Sequence, residues 1–157
     1  MQPFTVIGVG NPYRGDDGAG IAVARRVAAA APAGVTVVEA TGEGAALMAA
    51  WETSASVVVV DAVRSGAAPG TVYRFDAARE TLPARFFSYS THAFSVAEAV
   101  ELARVLGRLP SRLILYGVEG RRYEPGDGLT PEVERAAAEV AQRVLAEIDV
   151  ITRTHTP

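Results

Sequence analysis

The 157-residue chain contains no cysteine. Disulfides, cysteine-based zinc sites, iron–sulfur clusters and thiol nucleophiles are therefore excluded. Lysine is absent as well, because all 15 basic residues are arginines. This excludes a Schiff-base lysine and the phosphate-binding lysine of a Walker motif. Histidine occurs only twice, so few side chains can serve as a general base or as an imidazole ligand.

The chain also lacks a basic stripe and a long apolar run. Its net charge is −3 and its pI is near 5.4, so we expect neither nucleic acid nor a membrane as a partner. No apolar run approaches the ~20 residues of a membrane span. The first residues show neither a basic n-region nor a small-residue cleavage site, which predicts a cytoplasmic protein without a signal peptide.

Short β-rich runs alternate with helical patterns along the whole chain. This alternation predicts an α/β fold with three layers, in which helices cover both faces of a twisted, mostly parallel sheet of about five strands. We interpret residues 1–157 as a single domain with a flexible tail at 152–157. The predicted strands are residues 4–9, 35–39, 57–60, 71–75 and 113–118, and the predicted helices are residues 16–31, 45–52, 94–106 and a last helix from 131.

Two strands and two helices allow finer predictions. Four consecutive valines at 57–60 are typical of a central parallel strand, whereas the alternation at 71–75 indicates an edge strand. Thr130 and Pro131 suit the N-cap and first position of the last helix. The expected buried positions are Ile21, Ala24, Val27 and Ala28 in the first helix, and Val133, Ala136, Ala137, Val140, Val144 and Ile148 in the last.

The loop after the first strand carries two adjacent carboxylates. Its Gly-x-Gly turn resembles a dinucleotide motif, but the third glycine of that motif would fall at Tyr13. Asp16 and Asp17 would also repel a phosphate at the helix N-terminus, whereas they would attract a cation. We expect Asp16 to cap the helix. Asp17 is either a metal ligand or a partner of the helix dipole.

Asp61 and His92 complete a set of candidate metal ligands. Asp61 follows the valine strand, where a carboxylate is costly unless it is paired, caps a turn or binds a metal. His92 precedes the third predicted helix, and His155, in the tail, receives no role. Because sites in such sheets lie beyond the carboxyl ends of the strands, Asp17, Asp61 and His92 are expected to converge as a three-ligand site with open positions. Neither H-E-x-x-H nor G-x-S-x-G occurs.

Four stretches together resemble one known family. They are Gly8-Val9-Gly10-Asn11 with Gly15-Asp16-Asp17-Gly18-Ala19-Gly20; Val60-Asp61-Ala62-Val63 with Pro69-Gly70-Thr71; Ser90-Thr91-His92; and Gly117-Val118-Glu119 with Leu129-Thr130-Pro131-Glu132-Val133. In this order, and over nearly the full length, the chain resembles the maturation endopeptidases of [NiFe] hydrogenases.

The resemblance implies an endopeptidase that removes a C-terminal extension from the precursor of a hydrogenase large subunit after nickel insertion. It implies that Asp17, Asp61 and His92 bind the metal and form the catalytic site. As a hypothesis of our own, Asp16 orients the loop or acts as a base. The resemblance also implies that the substrate carries the nickel, and we expect that a divalent surrogate such as zinc or cadmium can occupy the site. We expect the large-subunit precursor as the partner and a monomeric enzyme.

Two departures from the family pattern concern contacts with the substrate. The family often has an acidic residue, Gly, any residue and Thr after the second strand, where this chain has Glu39-Ala40-Thr41-Gly42. The proline that commonly follows the Gly-Val-Glu stretch is replaced by Gly120.

Three other functions remain open at this point. A non-catalytic nickel-binding checkpoint in hydrogenase assembly would use the same three ligands. A hydrolase like peptidyl-tRNA hydrolase shares the Gly-x-Gly-Asn-Pro start, but it should carry a histidine where this chain has Asp16-Asp17, and the acidic pI does not suit a tRNA substrate. A nucleotide-binding α/β domain is disfavoured by the acidic loop.

Overall fold

The computed structural model describes residues 3–41, 43–82, 96–126 and 128–154, and these residues form five strands and four α-helices. A short 3-10 helix, Gly15–Gly18, precedes the first α-helix. The strands are β1 (Phe4–Val9), β2 (Val35–Ala40), β3 (Ser56–Val63), β4 (Val72–Asp76) and β5 (Arg112–Glu119), and the helices are α1 (Ala19–Ala30), α2 (Gly44–Trp51), α3 (Val96–Val105) and α4 (Pro131–Thr154).

The strands form one sheet in the order β2-β1-β3-β5-β4. All neighbours are parallel except β4, which pairs with β5 in the antiparallel sense at the edge. The predicted central positions of the first, valine-rich and last strands are confirmed, as is the edge position of the fourth. The valine strand β3 lies between β1 and β5, and helices cover both of its faces. It can therefore be apolar on both sides.

Helices pack on both faces of the sheet, which confirms the three-layer prediction. Val58 and Val60 of β3 point into an apolar cluster with α1 and α4. Val57 and Val59 alternate to the other face and pack with α2 and α3. No helix among the described residues is both long and apolar enough to cross a membrane.

The last helix follows its predicted apolar stripe. All six expected positions, from Val133 to Ile148, are buried. The helix begins at Pro131, as predicted, but it continues through Thr154. The prediction that the tail begins at residue 152 is therefore wrong, because residues 152–154 belong to the helix. Residues 155–157 lie outside the described part of the chain.

The first helix begins later than predicted. Residues 15–18 form the 3-10 turn, α1 starts at Ala19, and Ala28 is exposed because the buried face is centred on Val23 and Val27. The glycines of this region serve close packing. A Cβ on Gly20 would lie 2.3 Å from the carbonyl oxygen of Val60 and 2.4 Å from that of Val9, so α1 can approach the sheet only with glycine there.

Candidate active site at the carboxyl edge of the sheet

Asp61 lies inside β3, because the strand continues to Val63. A role as the cap of a following turn is therefore wrong. Asp61 is half-buried and pairs in register with Gly117 of β5, which places no side chain beside it. The alternation of β3 puts Asp61 on the same face as Val59 and Val63, the face covered by α2 and α3.

Asp17 and Asp61 are close enough for their charges to interact. Burial raises the pKa of Asp61 well above its usual range, and the neighbouring Asp17 carboxylate raises it further, against a smaller opposing effect of the Ala62 backbone. Asp17 comes from the loop after β1, where its Oδ2 accepts the Asn11 N–H at 2.9 Å. Two such carboxylates favour either a shared proton or a cation.

Asp16 joins two loops through its side chain. Its side chain is fully buried and accepts hydrogen bonds from the backbone N–H groups of Arg121 (2.8 Å), Arg122 (3.0 Å) and Thr130 (2.8 Å) and from the Thr130 hydroxyl (2.9 Å). Burial alone would raise the pKa of Asp16, but these hydrogen bonds hold it below its ordinary value.

The prediction that Asp16 caps the first helix is wrong, because its carboxylate accepts hydrogen bonds from the loop after β5 and not from the helix. The residue that caps α1 is Gly18, without a side-chain hydrogen bond, and Asp16 lies within the 3-10 turn. Backbone hydrogen bonds reinforce the contact between the two loops: Asp16 N to Arg122 O at 2.7 Å, Gly15 N to Gly126 O at 2.9 Å and Gly126 N to Tyr13 O at 2.9 Å. The loop that carries Asp17 is therefore held by the loop after β5.

Glu119, at the end of β5, is a polar residue whose role sequence reasoning missed. Only 2% of it is exposed. Its two oxygens accept the Ser65 N–H at 3.1 and 3.0 Å, and the Ser65 hydroxyl donates to Oε1. The Tyr73 hydroxyl lies 2.9 Å from Ser65 Oγ and must donate to it, because the Ser65 proton is directed to Glu119. This network fixes the backbone just after β3.

Replacing Ser65 tests how much this network stabilises the fold. Ser65→Ala is expected to lower the free energy of unfolding by about 1–2 kcal/mol, because it removes a hydrogen bond to a buried carboxylate. Urea denaturation measures the change. The control is Ser111→Ala, which alters an exposed serine just before β5; equal losses in both variants would contradict a special role for Ser65.

Tyr123 was also missed, since no local pattern marks it. Its hydroxyl donates to the Val63 carbonyl at 2.6 Å and accepts the Gly120 N–H at 3.0 Å. The Arg64 guanidinium lies over its ring, 4.8 Å from the centroid. Burial raises the pKa of Tyr123 above its usual range, so the hydroxyl keeps its proton and remains a donor.

The third predicted ligand, His92, lies outside the described residues, as does His155. Among the described residues, no group of three or more His, Cys, Asp or Glu side chains could hold a metal ion. Convergence of Asp17, Asp61 and His92 thus stays a prediction. Of the departing residues at the end of β2, Glu39 lies within the strand and forms an ion pair with Arg25 at 3.0 Å. Gly42 lies outside the described part of the chain.

Comparisons with known proteins agree on one family. A family model described as hydrogenase maturation protease matches residues 21–147. The hydrogenase expression/formation protein HupD of Bradyrhizobium diazoefficiens is 32% identical over 164 residues, covering 97% of this chain and 83% of the relative. The hydrogenase 2 maturation protease of Escherichia coli K12 is 29% identical, covering 91% of this chain and 88% of the relative.

A solved structure extends this likeness to the fold. The hydrogenase maturating endopeptidase HybD from Escherichia coli superposes with a TM-score of 0.80 at 28% identity, covering 94% of this chain and 92% of that chain. The sheet and its helices are therefore arranged as in a hydrogenase maturation endopeptidase.

Proposed function

This chain belongs to the hydrogenase maturation protease family, and on that premise we propose that it removes a C-terminal extension from the large-subunit precursor of a [NiFe] hydrogenase after nickel insertion. It is an endopeptidase, as its family and relatives are. The match to this family leaves no support for a function like that of peptidyl-tRNA hydrolase or for a nucleotide-binding domain.

The single observation that carries the proposal is the pairing of Asp17 and Asp61 at the carboxyl edge of the sheet. Burial and the charge of Asp17 raise the pKa of Asp61, so the ionised pair is costly unless it gains a proton or a positive counter-charge. Nickel already held by the precursor would supply that charge. Asp17, Asp61 and His92 would add their oxygens and ring nitrogen to it, as carboxylate and imidazole groups do for divalent metals.

Recognition of nickel would also place the cleavage site. Asp17, Asp61 and His92 would hold the metal of the precursor beside the loop after β1, and a divalent ion there would supply polarisation of a carbonyl or a water. Asp16 is better suited to orienting this loop than to acting as a base. Its carboxylate is buried and already accepts four hydrogen bonds, which leaves little capacity to take a proton from water.

Mass spectrometry of the precursor tests the proposed reaction. Incubation with a nickel-loaded large-subunit precursor is expected to remove a C-terminal peptide, whereas the same precursor without nickel stays intact. The control omits the protease. Stable binding of the nickel-loaded precursor without any loss of mass would favour the assembly checkpoint instead, and equal cleavage of both precursors would contradict recognition of the metal.

We further propose that the enzyme acts as a monomer in the cytoplasm. Light scattering after size-exclusion chromatography is expected to give a mass near the 16.4 kDa of one chain. A mass near twice that value, independent of concentration, would contradict the monomer.

A further inference from the structure

Gly120 and Tyr123 lie at the junction of the two segments that carry the acidic pair. Gly120 directly follows β5, and its N–H points at the Tyr123 hydroxyl (3.0 Å) and the Val63 carbonyl (3.2 Å). The Tyr123 hydroxyl in turn donates to Val63 O at 2.6 Å. The end of β3, two residues beyond Asp61, is thus tied to residues 120–123.

The same short segment is tied to the loop that carries Asp17. The Asp16 carboxylate accepts the N–H groups of Arg121 at 2.8 Å and Arg122 at 3.0 Å, and Asp16 N donates to Arg122 O at 2.7 Å. Residues 120–123 therefore connect the neighbour of Asp17 on one side to the strand of Asp61 on the other.

Tyr123 can occupy this place only because residue 120 is glycine. A Cβ on Gly120 would lie 2.4 Å from the Tyr123 hydroxyl oxygen, 2.6 Å from Cζ and 3.0 Å from Asp16 Cβ, the first two well inside van der Waals contact. A proline at 120, which the resemblance leads us to expect, would also have no N–H to donate. Gly120 therefore both leaves room for the Tyr123 hydroxyl and donates a hydrogen bond to it.

We propose that Gly120 and Tyr123 are matched positioning residues that set the separation between the Asp17 and Asp61 carboxylates. This inference rests on the proposed function, because a defined separation matters only if both side chains bind the nickel of the precursor. Partners outside the ligands orient metal-binding groups, and their loss typically lowers metal affinity or activity about 10–100-fold. Both residues are argued to act through the two loops and not on the reacting atoms.

Tyr123→Phe tests the proposal, with Tyr116→Phe as the matched control. Both variants remove one tyrosine hydroxyl. The Tyr116 hydroxyl, however, donates to Glu147 of α4, on the face of the sheet opposite to that of Asp61. In crystal structures, the distance between the Asp17 and Asp61 carboxyl carbons is expected to change in Tyr123→Phe and to stay as in the wild type in Tyr116→Phe. KM for the nickel-loaded precursor is expected to rise about 10-fold in Tyr123→Phe only.

Gly120→Ala provides a second, independent test. The added Cβ should displace the tyrosine ring and raise KM as Tyr123→Phe does. Without the ring the two closest contacts are gone and only the 3.0 Å approach to Asp16 Cβ remains. Gly120→Ala combined with Tyr123→Ala should therefore be little worse than Tyr123→Ala alone.

An unchanged carboxyl separation in both Tyr123→Phe and Gly120→Ala would overturn the proposal, as would an equal rise of KM in Tyr116→Phe. Additive effects in the double variant would overturn the pairing of the two residues. Failure of the wild type to cleave the precursor would overturn the proposed function instead, because the crystallographic separation does not depend on activity.

Discussion

Asp17→Asn is expected to reduce processing of a nickel-loaded precursor by at least about 100-fold, because it removes a charged ligand from the proposed metal contact. Thermal stability should remain close to that of the wild type. An asparagine at 17 keeps an oxygen that can accept the Asn11 N–H, so the loop retains this bond. Cleavage followed by mass spectrometry and a melting curve at pH 7 measure the two effects.

Asp61→Asn should cause a similar loss of processing but should raise stability at pH 7. In the folded protein the pKa of Asp61 lies above its ordinary value of 3.8, first through burial and then through Asp17. A raised carboxyl pKa means that the folded state binds the proton more tightly than the unfolded state. Asp61 therefore lowers stability progressively as the pH rises above about 4, fully so above its folded-state pKa.

The control for both substitutions is Asp149→Asn, which removes the charge of an exposed aspartate on α4. It should leave processing unchanged. Full processing by Asp17→Asn or Asp61→Asn would remove these residues from metal recognition. A stability gain in Asp61→Asn that is the same at pH 4 and pH 7 would contradict the raised pKa.

Most of the fold follows from periodicity. The four valines of β3 predict a strand covered on both faces, and the alternation near β4 predicts an edge, because each pattern depends only on what covers the strand. The start of α1 was harder to predict. Helical spacing extends back to Asp16, but the 3-10 turn depends on the contact with the loop after β5, which local sequence does not encode.

Sequence predicts the part of the candidate site that follows from sheet topology. It does not predict hydrogen bonds between residues far apart in the chain. Asp17 and Asp61 are neighbours because the carboxyl ends of parallel strands meet at one edge. Tyr123, by contrast, bonds to a carbonyl 60 residues away, and Asp16 bonds to Thr130 across 114 residues. A cap was the natural expectation for Asp16, since an aspartate beside a helix start usually has only local donors to satisfy.

Asp16→Ala is expected to cause the largest loss of stability among these variants. The buried carboxylate holds three backbone N–H groups and one hydroxyl from residues 121–130, and its removal leaves those donors without their charged acceptor. At about 1–3 kcal/mol for each unsatisfied donor, with partial relaxation, the expected loss is about 3–5 kcal/mol. For a chain of this size the melting temperature should fall by roughly 6–20 °C.

The pH dependence separates this role from a loss of packing at the same position. The hydrogen bonds hold the folded-state pKa of Asp16 below its ordinary value of 3.8, so its contribution is fully present above that value and is lost as the pH falls through the lower, folded-state pKa. The stability difference between wild type and Asp16→Ala should therefore be constant from pH 5 to 7 and shrink below about pH 4. A difference that persists unchanged at pH 2–3, or a smaller loss in Asp16→Ala than in Asp17→Asn, would contradict the assignment of Asp16 as the residue that joins the two loops.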